Sequence, residues 1–209
     1  MENQLKTGTT TIGIVCKDGV VLAADKRATA GHMIVDKRAE KVHVISDNFA
    51  VTIAGTVSDA QLVIKLIRAE LKLKEVRTYK KPTAKEAANL LGGILYGNLR
   101  RPSMFPGIAH FLLGGKDTEG VHLYDLFPDG SVTKIKDYVS SGSGSVFAYG
   151  VLETQYKAEM LTSEAVKLAV KCVNTALQRD SASGNGVDVI VINNKDIRRV
   201  VQKELVYQL

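Results

Sequence analysis

A chain of 209 residues, 45% hydrophobic and 24% charged, can bury a core without disulfide or metal staples and fits one domain or at most two. No apolar run is long enough to span a membrane, and Met1 to Gly8 lack the apolar stretch of a secretory signal. The net charge of +6 includes basic pairs at Lys80-Lys81, Arg100-Arg101 and Arg198-Arg199, which read as solvated surface rather than a nucleic-acid contact, because no aromatics interleave with them.

Strands open the chain. Ile12, Ile14 and Cys16 alternate with Thr11, Gly13 and Val15, a period of two. Asp18-Gly19 is a turn signal, and Val20 to Ala24 continues as a buried strand. Further strands are predicted at Val42 to Ile45 and Phe49 to Ala54, joined by a polar Ser46-Asp47-Asn48 turn. Then Val57, Ala60, Ile64, Ile67 and Leu71 recur at helical steps and give one apolar face. Thr83 with Glu86 forms a capping box for a second helix, striped by Ala87, Leu91, Ile94 and Leu95 and ended by Arg101-Pro102. Strands resume at Ile108 to Leu113, Val121 to Phe127 and Ser131 to Ile135, the last two joined by a Pro128-Asp129-Gly130 turn. A third helix is predicted from Ser145 to Tyr156. A fourth starts at Thr162 and buries Val166, Ala169, Val170 and Val173. The chain closes with strands at Val187 to Ile192 and Arg199 to Glu204.

Blocks of strands alternating with pairs of helices predict an α+β fold of antiparallel sheets with helices packed outside. With no linker or composition break, one domain is expected over residues 9–209, preceded by a removable extension at 1–8. The two cysteines, Cys16 and Cys172, fall on apolar positions and read as buried free thiols of a reducing, intracellular compartment. The four histidines, His32, His43, His110 and His122, lack metal-ligand spacing, so no metal site and no cofactor is expected.

The run Gly8-Thr9-Thr10-Thr11 is the most suggestive chemistry in the chain. A mid-chain threonine hydroxyl is a poor nucleophile. Cutting the Gly8–Thr9 bond would place a free α-amine, with a pKa near ~7.7–8.0, beside the hydroxyl of the same residue. On its own the run reads as strand-forming threonines. Other polar clusters sit where strands or helices end, and each alone has an ordinary structural reading as a turn, cap or loop.

Together these clusters resemble the β-type catalytic subunit of the proteasome, in its simpler archaeal form. The resemblance rests on Gly8-Thr9-Thr10-Thr11, Ala24-Asp25-Lys26-Arg27-Ala28-Thr29, Glu40-Lys41-Val42, residues 54–61 beginning Ala54-Gly55-Thr56, Ser141-Gly142-Ser143-Gly144-Ser145, Tyr149 to Glu153, and Gln178-Arg179-Asp180-Ser181-Ala182-Ser183-Gly184. It implies a four-layer αββα sandwich of the N-terminal-nucleophile hydrolases and a threonine endopeptidase. Thr9 would be the nucleophile, exposed by autocatalytic cleavage after Gly8. Lys41 would lower the pKa of its hydroxyl, and Asp25 would hold Lys41. The Gly55 N–H would serve the oxyanion, and Ser143, Asp180 and Ser183 would surround the Thr9 amine. Thr29 would bind the substrate main chain, while Ala28, Ala39, His43, Ile53 and Val57 would line an apolar specificity pocket in which His43 is the less expected member.

The same resemblance implies stacked seven-membered rings with α-type and other β-type subunits, a regulatory ATPase cap, unfolded polypeptide substrates, no nucleic acid or membrane partner, and a cytoplasmic location. A non-catalytic or silenced β-type subunit of a mixed ring is the alternative. The Ser-Gly run lacks the spacing of a phosphate-binding loop, and no Gly-x-Ser-x-Gly elbow occurs.

Overall fold

The structure, a computed structural model, describes residues 8–102 and 107–205, so of the expected leader only Gly8 lies among the described residues. The elements follow in the order β1 (Thr11–Cys16), β2 (Gly19–Asp25), β3 (Ala28–Ala30), β4 (Met33–Asp36), β5 (Val42–Val44), β6 (Phe49–Gly55), α1 (Val57–Thr78), α2 (Ala84–Leu99), β7 (Ala109–Asp117), β8 (Gly120–Leu126), β9 (Val132–Ile135), β10 (Tyr138–Ser141), α3 (Ser145–Gln155), α4 (Thr162–Leu177), β11 (Gly186–Ile192) and β12 (Ile197–Glu204).

Two five-stranded antiparallel sheets carry the fold. One runs β10-β1-β2-β11-β12 and the other β5-β6-β7-β8-β9, while β3 and β4 form a separate hairpin. The two-residue strand period sorts side chains into three apolar layers. Ile12, Ile14, Val21, Ala23, Val189 and Val191 meet α3 and α4. Val20, Leu22, Ala24, Ile190 and Ile192 meet Val42, Ala50, Leu112 and Leu123 of the opposite sheet. Val51, Ile53, Phe111, Leu113 and Leu126 meet α1 and α2. The result is the α+β sandwich expected, with helices on both outer faces.

Helix α1 buries Ala60, Ile64, Ile67 and Leu71 as predicted, and Val63 with them. Each large aliphatic side chain so buried contributes roughly 1.5–3 kcal/mol. Val57, predicted on the same stripe, is 47% exposed, because it opens the helix before its face reaches the sheet. The capping box of α2 forms in both directions: Thr83 Oγ1 accepts from the Glu86 N–H at 3.2 Å, and Glu86 Oε2 accepts from the Thr83 N–H at 2.9 Å. In α4 the buried face is Ala165, Leu168, Ala169, Cys172, Val173 and Ala176, and the predicted Val166 and Val170 flank it half-buried. No described helix is long and apolar enough to cross a membrane.

Candidate active site

The site forms where the start of β1, the end of β2 and the entry to β5 converge. Strand β1 pairs with β2 so that Thr11 lies opposite Ala24, and the Asp25 N–H donates to the Thr10 carbonyl at 3.2 Å. That pairing brings Asp25 beside the Gly8–Thr9–Thr10 segment. Lys41 enters from the other sheet, held there by the Ile53 N–H donating to its carbonyl at 2.9 Å.

Lys41 is 5% exposed and its ammonium has three protons to donate. They go to Asp25 Oδ1 at 2.8 Å, Thr9 Oγ1 at 3.1 Å and the Gly8 carbonyl at 3.2 Å. Thr9 Oγ1 in turn donates to the Gly8 carbonyl oxygen at 2.5 Å. Burial pushes the Lys41 pKa below its ordinary value of 10.5, against the opposing pull of the Asp25 carboxylate. Asp25 is fully buried and saturated: besides Lys41 it accepts the N–H groups of Thr10 at 3.0 Å, Arg27 at 3.0 Å and Gly184 at 2.9 Å. A carboxylate so held is a fixed anchor for the ammonium.

A second polar arm reaches the Thr9 nitrogen. Ser143 Oγ donates to Asp180 Oδ2 at 2.6 Å, which leaves its lone pair to accept the Thr9 N–H at 3.2 Å. Ser183 Oγ also donates to Asp180 Oδ2 at 2.6 Å. Its single proton is then used, so Thr10 Oγ1 is the donor in the 2.7 Å contact with Ser183. Gly142 lies in this arm with φ +90°, and a Cβ there would strike the Thr9 carbonyl.

Together these contacts can lower the cost of ionising the Thr9 hydroxyl, polarise the Gly8 carbonyl and orient the Thr9 nitrogen. A family model described as proteasome subunit matches residues 5–192. A proteasome subunit beta of Archaeoglobus fulgidus is 43% identical over 205 residues, which cover 98% of this chain and 94% of the relative. Proteasome subunit beta of Ferroglobus placidus is 43% identical over 198 residues, 95% of this chain and 92% of that relative. The same-named protein of Methanocaldococcus vulcanius is 43% identical over 199 residues, 95% of this chain and 87% of its own length. This chain is a β-type member of the proteasome subunit family.

The residues expected to serve catalysis in this β-type subunit are not all equally close to Thr9. Lys41 and Ser143 bond it directly, Asp25 bonds Lys41, and Asp180 bonds Ser143. Ser183, expected around the Thr9 amine, instead bonds Thr10 and Asp180. Thr29 Oγ1 accepts the Gly8 N–H at 3.2 Å, so it grips the backbone on the Gly8 side of the Gly8–Thr9 bond. Gly55 ends β6 with φ +118°, and a Cβ there would strike the Ile108 carbonyl.

The residues expected to line a pocket sit on separate elements. Ile53 lies opposite Lys41 on β6, His43 follows Lys41 by two residues on β5, and Val57 opens α1. Ala28 begins β3, and the Ala39 N–H donates to the Lys26 carbonyl at 3.0 Å. His43 Nε2 lies 3.0 Å from the Glu40 carbonyl, and burial pushes its pKa below the ordinary 6.5.

Three contributors escaped the sequence reading. Thr10 looked like a strand former, yet both its N–H and its hydroxyl join the site. Gly184 supplies an N–H to Asp25. Arg27 ties the Ser183 loop down, donating from Nε to Asn185 Oδ1 and from Nη1 to the Ser181 carbonyl, both at 2.8 Å. Thr10, Arg27 and Gly184 all sit inside the motifs that carry the resemblance, so adjacency to Thr9, Asp25 and Ser183 was the available signal.

Proposed function

We propose that this chain is the catalytic β subunit of a 20S proteasome core particle, a threonine endopeptidase that hydrolyses peptide bonds of unfolded proteins. The observation that carries the reading is the buried Lys41 ammonium, which bridges Asp25, Thr9 Oγ1 and the Gly8 carbonyl. In the precursor, Thr9 Oγ adds to the Gly8 carbonyl carbon. The Gly8–Thr9 C–N bond breaks, and the Thr9 nitrogen takes up the proton that the hydroxyl gave up. Water then hydrolyses the resulting ester, leaving a Gly8 carboxylate and a free Thr9 hydroxyl and amine.

The freed amine is held by Ser143 and accepts the hydroxyl proton when Thr9 attacks a substrate carbonyl. An ester acyl-enzyme forms, the amine leaving group is protonated, and water releases the second product. The Gly55 N–H stabilises the developing oxyanion, and Thr29 binds the extended substrate main chain. Ala28, Ala39, Ile53 and Val57 favour a large apolar residue before the scissile bond, with His43 neutral at pH 7 as the lowered pKa dictates.

The subunit assembles in seven-membered rings stacked with α-type subunits, works with an ATPase cap and acts in the cytoplasm. Residues 1–8 are its prosegment and 9–209 its single domain. The test measures the intact mass of the assembled particle together with hydrolysis of a fluorogenic peptide panel on the same sample. Turnover led by substrates with apolar residues before the cut supports the reading. An assembled particle without turnover makes the chain a silent structural subunit.

A further inference from the structure

Arg199, read from sequence as half of a solvated basic pair, is tied into the fold beside the site. A bulge puts it there. Val189 pairs with Val201 but Ile190 pairs with Arg199, so Val200 is an extra residue in β12. Ile190 belongs to the layer between the sheets, and cross-strand partners share a face, so Arg199 points into that layer. Without the bulge Val200 would lie opposite Ile190, and Arg199 would turn to the helix side.

From that position the guanidinium spans both sheets. Its Nη1 donates to Asp188 Oδ2 at 2.6 Å, on β11. Its Nη2 donates to Glu40 Oε1 at 2.6 Å and to the Val42 carbonyl at 3.0 Å. Glu40 and Val42 are the two chain neighbours of Lys41. Asp188 is 1% exposed, and its Oδ1 has no hydrogen-bond donor among the described residues. Arg199 is therefore the cation in hydrogen-bond contact with a buried carboxylate, and it also bonds the Glu40 side chain and the Val42 backbone carbonyl on either side of Lys41.

We infer that Arg199 is a positioning residue, holding the Glu40–Val42 segment so that the Lys41 ammonium stays within reach of Thr9. The inference rests on reading Lys41 as the group that serves Thr9. The planar fork is essential to it, because one guanidinium bonds Asp188 with one nitrogen and the Lys41 segment with the other. A lysine carries its donors on one nitrogen and on a shorter side chain. It can neutralise Asp188 but does not reproduce the two separated donor nitrogens that reach Asp188 on one side and Glu40 and Val42 on the other.

The experiment compares assembled particles carrying Arg199→Met and Arg199→Lys for peptide kcat, KM and melting temperature. Displacement of a reacting group by about 1 Å costs on the order of 10²-fold, so Arg199→Met should lower kcat roughly 10–100-fold with KM within about twofold. Arg199→Lys should recover the melting temperature but not kcat, a split that a purely structural role would not produce. If Arg199→Met fails to assemble, Arg199→Lys decides alone. A kcat within about twofold of wild type in either variant, or recovery of kcat and melting temperature together in Arg199→Lys, overturns the inference. Lys41→Ala measured in parallel separates the two readings. An inactive Lys41→Ala particle beside active Arg199 variants removes only the role of Arg199, whereas an active Lys41→Ala particle removes the reading of Lys41 itself.

Discussion

At the residue scale, the site turns on one buried ammonium with three acceptors. Asp25 fixes one of its protons, and the other two point at Thr9 Oγ1 and the Gly8 carbonyl. Lys41→Ala should lower peptide hydrolysis by about 10²–10⁴-fold with the fold retained, as for other groups acting at a proton-transfer step. Lys41→Arg should not restore it, because a planar fork cannot place three donors around one point. Near wild-type turnover in folded Lys41→Ala particles would end this role. Cys172 offers a separate check on the packing of α4. It is fully buried, and burial pushes its thiol from 9.0 up to about 12. Between those values the unfolded chain has lost a proton that the native chain keeps, so stability falls as pH rises above about 9. The contribution reaches about 1 kcal/mol by pH 10, and urea midpoints at pH 8 and pH 10 should differ less in Cys172→Ala than in wild type. An unchanged difference would show that the thiol does not titrate as its burial requires.

At the element scale, α2 is held at its start by side chains that the sequence displays openly. Thr83→Ala removes the cap of the Glu86 N–H and should cost roughly 0.5–2 kcal/mol, seen as a lower melting temperature with unchanged peptide kcat. A drop in kcat at constant stability would show that α2 is coupled to the site in a way its position does not suggest. Elements with a clear signal were legible in the same manner: β1 follows from its alternation and α1 from its apolar stripe, while β2 and β6 are apolar runs bounded by polar turns. Others carried no such signal. All four residues of β4 are exposed, so no alternation marks it as a strand. Strand β10 ends in the serine-glycine run, whose composition signals a loop, and becomes a strand only because β1 offers it an edge to pair with. In α4 the valines drew attention as core, yet of them only Val173 is fully buried, and the small residues Ala165, Cys172 and Ala176 are buried beside it.

At the scale of the whole molecule, two sheets pressed face to face bring together residues far apart in the chain. Thr9, Asp25 and Lys41 come from adjoining strand ends of opposite sheets, while Ser143 and Asp180 precede one helix and follow another. Local spacing cannot reveal that convergence. The resemblance supplied it for Thr9, Asp25, Lys41 and Ser143, and could not supply Arg199, whose inward aim depends on a one-residue bulge. In the proposed mechanism the working enzyme begins at Thr9, since only a free Thr9 amine can serve its own hydroxyl as base. The direct measurement is intact mass with N-terminal sequencing of wild-type, Thr9→Ala and Thr9→Ser particles, alongside peptide turnover. Wild type should start at Thr9 and turn over, Thr9→Ala should keep Met1 to Gly8 and be inactive, and Thr9→Ser should retain part of both reactions. Full turnover from chains still carrying Met1 to Gly8, or from Thr9→Ala, would contradict the N-terminal threonine mechanism.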